Sequence, residues 1–203
     1  MSQKYLQQML TPKVKDAQDK FFGRHQEPGP AISNAPDDLG SEEIEFITMR
    51  DSFYMATTNE TGWPYLQHRG GSAGFLKVLS PTQIGFADYR GNRQLLSTGN
   101  VSHDDRVSLF LMDYPTRSRL KILGRARVFS TTDEPELASR LTEPAMEKRT
   151  ERFFLIDIDS YDWNCTQYIT PRFTSGQIAE AVKPLKTRIA ELEAEIETLR
   201  SKH

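Results

Sequence analysis

Residues 105–128, DRVSLFLMDYPTRSRLKILGRARV, contain two stretches of alternating apolar and polar residues around a turn-forming segment, DYPT. Because successive side chains of a strand point to opposite faces, this alternation predicts two half-buried β-strands, at 107–112 and 118–129. The basic residues of the second stretch would share one face: Arg117, Arg119, Lys121, Arg125 and Arg127.

Strand-like patterns recur on both sides of this segment. The further runs are 52–59, 64–71, Phe75–Leu79, Gln83–Ala87 and Arg152–Tyr161. They are short, with frequent turns between them, which is typical of an antiparallel barrel or sandwich rather than of alternating βαβ units. Helices are predicted at about 92–99 and 134–141. The predicted fold is therefore mainly β with flanking helices.

The N-terminal segment is predicted to contain helix and linker. Residues 1–25 read as helical, with Thr11 as an N-cap and Pro12 at the first helical position. Residues 26–40 contain three prolines and no periodicity, which predicts a linker over the surface. A short helix is then predicted from Ser41 to about Arg50.

The C-terminal segment carries a heptad pattern. Parallel pairing would place Arg188 opposite Glu193 of a second copy and Glu195 opposite its Arg200. Pro184 argues against a regular helix. The alternative is an amphipathic helix packed on its own barrel. The apolar positions are spaced 4-3-4-3-4-3: Ile178, Val182, Leu185, Ile189, Leu192, Ile196 and Leu199.

Composition narrows the class of protein. A net charge of −2 gives no general attraction to nucleic acid or membrane. No apolar run approaches the roughly 20 residues of a membrane span, and the N-terminus does not resemble a signal peptide. The single cysteine and four scattered histidines show no disulfide or metal spacing. We expect a cytoplasmic protein with no metal, divided into an N-terminal part (1–40), a β domain (41–175) and a C-terminal helix (176–203).

Two clusters carry groups suited to an anionic ligand. The run Gln67-His68-Arg69-Gly70-Gly71 ends a strand, and paired glycines allow a ligand to approach the backbone. In Asp88-Tyr89-Arg90-Gly91-Asn92-Arg93 a strand ends and a helix begins. Amide groups at a helix start, beside Asn92 and Arg93, are suited to bind a phosphate group. Ordinary surface turns with solvated arginines remain the alternative for both clusters.

The basic strand face and an aromatic cluster are two further candidates. Like charges on one strand face repel unless anions or carboxylates answer them, for example from a phosphorylated ligand or a partner subunit. A solvated outer face is the alternative. The aromatic residues of Tyr161–Ile169 could flank a planar ring, whereas Cys165 is more typical of a small buried residue. Because no hydrolytic motif is present, a cofactor that carries the chemistry fits better.

Three segments in order resemble the pyridoxamine 5′-phosphate oxidase-like, FMN-binding split-barrel family. They are FYMATTNETGWPYLQHRGG (53–71), IGFADYRGNRQLLSTGN (84–100) and DRVSLFLMDYPTRSRLKILGRARV (105–128). The resemblance is specific because all three motifs occur together, and it looks closest to the branch of predicted flavin-nucleotide-binding proteins.

The resemblance implies a six-stranded antiparallel split β-barrel, a two-fold homodimer and FMN at the subunit interface. It implies that the strand with Gln67, His68 and Arg69, together with Asn92 and Arg93, holds the phosphate. The same resemblance places Asp88 and Tyr89 near the ribityl chain or ring, and Arg117 and Arg119 where the partner subunit reaches the flavin.

The resemblance does not extend to a substrate. Where pyridoxamine phosphate oxidases end in an Arg- and Trp-bearing segment, this chain has CTQYITPRF and the heptad helix. We therefore expect an FMN-dependent oxidoreductase of unknown substrate. The alternatives are a flavin carrier or sensor without turnover, a haem-handling protein with His68 or His103 as axial ligand, a deazaflavin protein, and a structural dimer.

Overall fold

The computed structural model describes residues 3–29 and 35–201, so part of the predicted linker lies outside the described residues. Two compact units are present. The first comprises the chain up to Asp113 together with Ser118–Thr166, and the second comprises Tyr114–Arg117 and the chain from Gln167 onward. Within the described residues, no helix is both long and apolar enough to cross a membrane.

The first unit is built on a single antiparallel sheet. Its strand order is β2-β1-β5-β6-β7-β4-β3. Every strand-like run in the sequence forms a strand, so the count is seven rather than the six that the resemblance implied. The fold class, a mainly antiparallel split barrel with flanking helices, is confirmed. The strands are β1 (Ser52–Thr58), β2 (Pro64–Gly70), β3 (Lys77–Ser80), β4 (Gln83–Tyr89), β5 (Arg106–Asp113), β6 (Ser118–Ser130) and β7 (Thr150–Trp163).

The helices differ from the predictions mainly at their starts. The N-terminal helix is divided at Thr11, and Gly40 rather than Ser41 is the N-cap of the next helix. The helix predicted at 92–99 begins four residues later, and a 3₁₀ turn at Pro144–Arg149 was not predicted. The α-helices are α1 (Gln3–Met9), α2 (Pro12–Phe22), α3 (Ser41–Thr48), α4 (Leu96–His103), α5 (Pro135–Leu141) and α6 (Ser175–Arg200).

The core lies on the inner face of the sheet and is rich in phenylalanine. Phe86 stacks on Phe154 at a centroid distance of 5.0 Å and meets Phe53 edge-on at 5.2 Å. Each such side chain, fully buried, contributes about 1.5–3 kcal/mol. α3 covers this core with Phe46 and Ile47. The rigid sheet that results positions the strand ends from which the candidate site is built.

Candidate functional site

A cavity of about 250 Å³ opens where β2, the end of β4 and the start of α4 meet. Alternation along β2 turns Tyr65, Gln67 and Arg69 toward it. β4 ends at the same place with Asp88 and Tyr89. The lining residues are Tyr65, Gln67, Arg69, Asp88, Tyr89, Gly91, Asn92, Arg93, Gln94, Leu95, Leu96, Ser97, Thr98 and Arg152.

The loop between β4 and α4 is held in a strained conformation. Arg93 and Leu95 have φ values of 63° and 56°, in the left-handed region. For residues with a Cβ this conformation costs about 1–2 kcal/mol each. Asn92 folds the loop locally, because its Oδ1 accepts a hydrogen bond from the amide of Gln94 at 3.1 Å. Strain of this kind concentrates at ligand sites, where the surrounding structure maintains it.

The strained loop is followed directly by α4, and the start of this helix has no side-chain cap. Leu95 occupies the N-cap position, and no side chain among the described residues accepts from the first turn. The amides of that turn have no intrahelical partner and carry the positive end of the helix dipole. Ser97 Oγ donates to Gln67 Oε1 at 2.7 Å, which ties this helix start to β2. The helix therefore presents anion-binding groups to the cavity.

A buried carboxylate joins two arginines at the cavity wall. One oxygen of Asp88 accepts from Arg69, and the other accepts from Arg152 Nε at 2.6 Å. All three side chains are at most 17 % exposed. Burial lowers the pKa of the Arg69 guanidinium, and the charge of Asp88 partly offsets this effect. Arg69 Nε is buried with no hydrogen-bond partner among the described residues.

A second acidic residue, Glu151, lies at the rim. It accepts from Arg90 Nε at 3.0 Å and lies 3.6 Å from Arg93 Nη2. The hydrogen bond from Arg90 is the main reason why the pKa of Glu151 is lowered. With Arg69, Arg152 and Asp88, four guanidinium groups face two carboxylates, which leaves two positive charges. Arg93 remains 65 % exposed and loosely paired.

Tyr89 adds a protonated donor to the cavity. Burial raises the pKa of its phenol, and the negative charge of Glu143 raises it further. The phenol thus keeps its proton at neutral pH and can donate a hydrogen bond.

Six of the nine predicted site residues line this cavity, and three do not. His68 lies on the opposite face of β2, with its ring 5.5 Å from that of Tyr54. Arg117 lies in the Tyr114–Arg117 segment of the second unit, with φ 59° instead of extended backbone. Arg119 is the second residue of β6 and is not part of the cavity lining. The six residues brought together are Gln67, Arg69, Asp88, Tyr89, Asn92 and Arg93.

Carboxylates of the same chain pair with three of the basic residues on the face of β6. Lys121 pairs with buried Asp162 at 2.8 Å, and Arg127 pairs with Asp157 at 2.8 Å. Arg125 lies 2.7 Å from Asp105. Carboxylates therefore balance these three residues, and β7 and the turn before β5 supply them rather than a ligand or a partner subunit. Arg125 and Arg127 also remain 52 % and 54 % exposed to solvent.

The aromatic cluster near the end of β7 is structural. Trp163 donates from Nε1 to Glu43 at 2.6 Å and meets Phe46 edge-on at 4.8 Å. Tyr161 donates its hydroxyl to the Asp38 carbonyl at 3.3 Å. These aromatic side chains hold α3 and the segment before it against the sheet, and Cys165 is exposed rather than buried.

Arg152 is the charged residue of the cavity lining that sequence reasoning missed. It is 64 residues from Asp88 in the chain and reaches that carboxylate because β7 pairs with β4, with Asp88 opposite Arg152. No local motif marks it. Pairing β4 with the Arg152–Tyr161 run at this register would have revealed it.

Several solved structures are similar to this one. Group A Streptococcus HupZ matches with a TM-score of 0.51 and 10% identity, over 66% of this chain and 100% of that chain. A putative pyridoxamine 5′-phosphate oxidase from Lactobacillus delbrueckii matches with a TM-score of 0.49 and 18% identity, over 62% and 94%. An FMN-binding protein from Syntrophomonas wolfei matches with a TM-score of 0.44 and 11% identity, over 61% and 87%. At 10% identity, the likeness to HupZ shows the fold alone.

No curated protein matches the chain. The sequence profile of the family described as pyridoxamine 5′-phosphate oxidase, by contrast, matches residues 41–162, which is more than half of the chain. This stretch contains β1 to β6, nearly all of β7, and the whole lining of the cavity. The chain belongs to the pyridoxamine 5′-phosphate oxidase family.

Proposed function

We propose that the chain binds FMN at this cavity and acts as an FMN-dependent oxidoreductase. The observation that carries the proposal is the strained, uncapped start of α4 beside an excess of guanidinium groups. The phosphate would take the amides of the first turn, with Asn92 and Arg93 closing over it. Family membership and the printed names of structural neighbours, which include FMN-binding and FAD-binding proteins, support a flavin as the ligand.

Arg69 and Arg152 are positioning residues in this proposal. Both are engaged by Asp88, so they fix the cavity wall rather than provide free cations. Arg152 also donates from Nη2 to Glu151 Oε2 at 3.0 Å, and Arg69 keeps a buried Nε without a hydrogen-bond partner among the described residues. Tyr89 would donate a hydrogen bond to the ribityl chain or the ring. Bound FMN would supply redox chemistry at its isoalloxazine ring, while the protein binds and orients it.

The size of the cavity supports a site shared between two copies. At about 250 Å³ it is smaller than most ligand pockets, which measure about 300–1,000 Å³. The phosphorylated end of FMN fits a cavity of this size, and the ring would then extend from it. We propose a homodimer that covers the ring. Arg119, whose Nε is buried without a partner among the described residues, is our candidate to reach the flavin of the second copy, together with Arg117.

We assign the flavin-binding domain to residues 41–175, with residues 1–40 and 176–203 as additions to it. We place the protein in the cytoplasm, where the free thiol of Cys165 would remain reduced.

The visible absorbance spectrum of the purified protein tests the proposal, followed by mass spectrometry of whatever heat releases. Two flavin bands and the mass of FMN are the expected result. A different released mass, such as that of a deazaflavin, would mean that this molecule and not FMN is the bound cofactor. A colourless protein that fails to bind added FMN would overturn flavin binding while leaving the fold intact.

Turnover needs a separate measurement. Anaerobic mixing of the FMN complex with NADH or NADPH should bleach the flavin bands if a nicotinamide is the electron donor. Flavin bands that stay unchanged with both NADH and NADPH would favour a carrier or sensor over an oxidoreductase.

A further inference from the structure

The last helix, α6, has a defined start and an uninterrupted course. Thr174 is its N-cap, with Oγ1 accepting from the amide of Gln177 at 3.2 Å. The helix then runs for 26 residues to Arg200, without ending at Pro184. At a rise of 1.5 Å per residue it is about 39 Å long.

An apolar seam is exposed along this helix. None of its residues, all of which the structure describes, is buried. A lone helix in water is marginally stable, and an internal proline removes about 3 kcal/mol more. Only two ion pairs between described residues lie within the helix, Glu180–Lys183 and Arg188–Glu191, and both are solvent-exposed. The seam side chains are 40–64 % exposed: Ile178, Leu185, Ile189, Leu192, Ile196 and Leu199.

We propose that α6 pairs with α6 of a second copy in a parallel, in-register, two-stranded coiled coil. The β-branched residues Val182, Ile189 and Ile196 occupy the a positions, and leucines occupy all d positions but the first. This distribution favours parallel two-stranded coils. Pro184 falls at a c position, on the outer side, so its ring does not obstruct the seam.

The flanking charges fit this partner. In a parallel coil Arg188 at g meets Glu193 at e of the second copy, and Glu195 meets Arg200 in the same way. Within one helix Arg188 pairs with Glu191 at 3.0 Å, with the base preceding the acid, which is the weaker order. An antiparallel coil would instead place Arg188 opposite Glu195, so the charges alone do not select the orientation. The types of residue at the a and d positions select the parallel orientation.

Disulfide trapping in the full chain tests the pairing and does not depend on flavin binding. With Cys165→Ser as background, Leu199→Cys should cross-link nearly completely in a glutathione redox buffer. Ala194→Cys, at an outward f position, is the matched control and should stay largely reduced. In an antiparallel coil two copies of residue 199 would lie about 26 Å apart, so cross-linking between Val182→Cys and Leu199→Cys chains would overturn the parallel arrangement. Equal trapping of Leu199→Cys and Ala194→Cys would overturn the coil.

Charge reversal tests the register. Arg188→Glu creates two symmetry-related repulsions in a parallel coil, and we expect about a tenfold loss of equilibrium cross-linking at Leu199→Cys. Adding Glu193→Arg should restore the wild-type value. In an antiparallel coil Leu199→Cys would not cross-link to itself. There, Arg188→Glu would weaken trapping between Val182→Cys and Leu199→Cys chains and Glu195→Arg would restore it, which would overturn the parallel register. No change in any of these variants would mean that the seam meets another surface, such as the chain's own barrel.

Discussion

The face of β6 and the loop before α4 are both rich in arginine, but the two regions differ in how completely carboxylates of the same chain pair with these arginines. On β6, Lys121 lies opposite Asp162 and Arg125 opposite Asp157, because β7 runs antiparallel beside it. In the loop, the one ion pair of Arg93 with a described residue is to Glu151, at 3.6 Å, and the backbone is strained. A run of basic residues therefore indicates a binding site only where no neighbouring strand supplies carboxylates.

The two regions also differ in what would happen without a ligand. Three of the β6 cations, Lys121, Arg125 and Arg127, are paired within the chain, so an anion would have to compete with aspartates for them. The loop amides and Arg93 retain bonding capacity, so an anion would gain contacts there without breaking any of comparable strength. The difference is measurable by removing charges of matched exposure from each region.

The largest expected effect comes from the carboxylate at the cavity wall. Asp88→Asn removes the charge between Arg69 and Arg152 and leaves two buried guanidinium groups without it. We expect the free energy of unfolding to fall by about 3–5 kcal/mol, as for other broken buried pairs. Chemical denaturation measures it.

The matched control is Asp105→Asn, which removes the partner of Arg125 at an exposed site. Its expected cost is at most about 1 kcal/mol. Equal losses in the two variants would show that the Asp88 cluster is no more than a surface ion pair.

The next effect concerns flavin affinity. Arg93→Ala should weaken FMN binding at least about tenfold, since it removes a charge-assisted contact to phosphate. Arg125→Ala removes the same charge from a side chain of similar exposure on β6, 52 % against 65 %, and should change affinity less than about twofold. Flavin fluorescence titration gives both values. Unchanged affinity in Arg93→Ala would remove that residue from the site.

The sequence was sufficient for the strands and for six of the fourteen residues that line the cavity. Alternation along 64–70 correctly separates Gln67 and Arg69 from the opposite face, and it would also have placed His68 outside the site. The resemblance included His68 because it transfers a whole strand, whereas only alternate residues of a strand face a ligand.

What the sequence did not reveal depends on long-range pairing and on backbone strain. The carboxylates opposite β6 and the position of Arg152 follow from the register of β7, which local patterns do not contain. The start of α4 was predicted too early because Arg93 and Leu95 adopt left-handed conformations, against their local preference. The loop residues that made the predicted helix start too early are therefore the same residues that form the candidate phosphate-binding site.

Strain at Leu95 leads to a smaller effect of opposite sign. Leu95→Gly should raise the free energy of unfolding by up to about 1 kcal/mol, because relief of a left-handed Cβ outweighs the added freedom of glycine in the unfolded chain. Leu96→Gly is the control: it is equally exposed, at 45 %, but helical, and should lose about 1 kcal/mol. Destabilisation by both changes would mean that the loop is not strained.

The smallest effect is the pH dependence that Glu151 adds at the rim. Its pKa is lowered from an ordinary value of 4.5, chiefly by the hydrogen bond from Arg90. A carboxyl with a lowered pKa stabilises the folded state above its ordinary pKa and loses this contribution as the pH falls through the lowered value. The stability difference between wild type and Glu151→Gln should therefore be constant well above pH 4.5 and shrink as the pH falls through the lowered pKa of Glu151.

Urea titrations at several pH values measure that difference. The control is Asp133→Asn, whose carboxyl also has a lowered pKa but is held by hydrogen bonding with Ser130 and not by an arginine. Added salt should weaken the Glu151 effect more than the Asp133 effect, because guanidinium pairing is screened while a hydrogen bond to a backbone amide is local. A pH-independent difference for Glu151→Gln would mean that Arg90 and Arg93 do not engage this carboxylate, and the rim would then carry more free positive charge than the structure assigns to it.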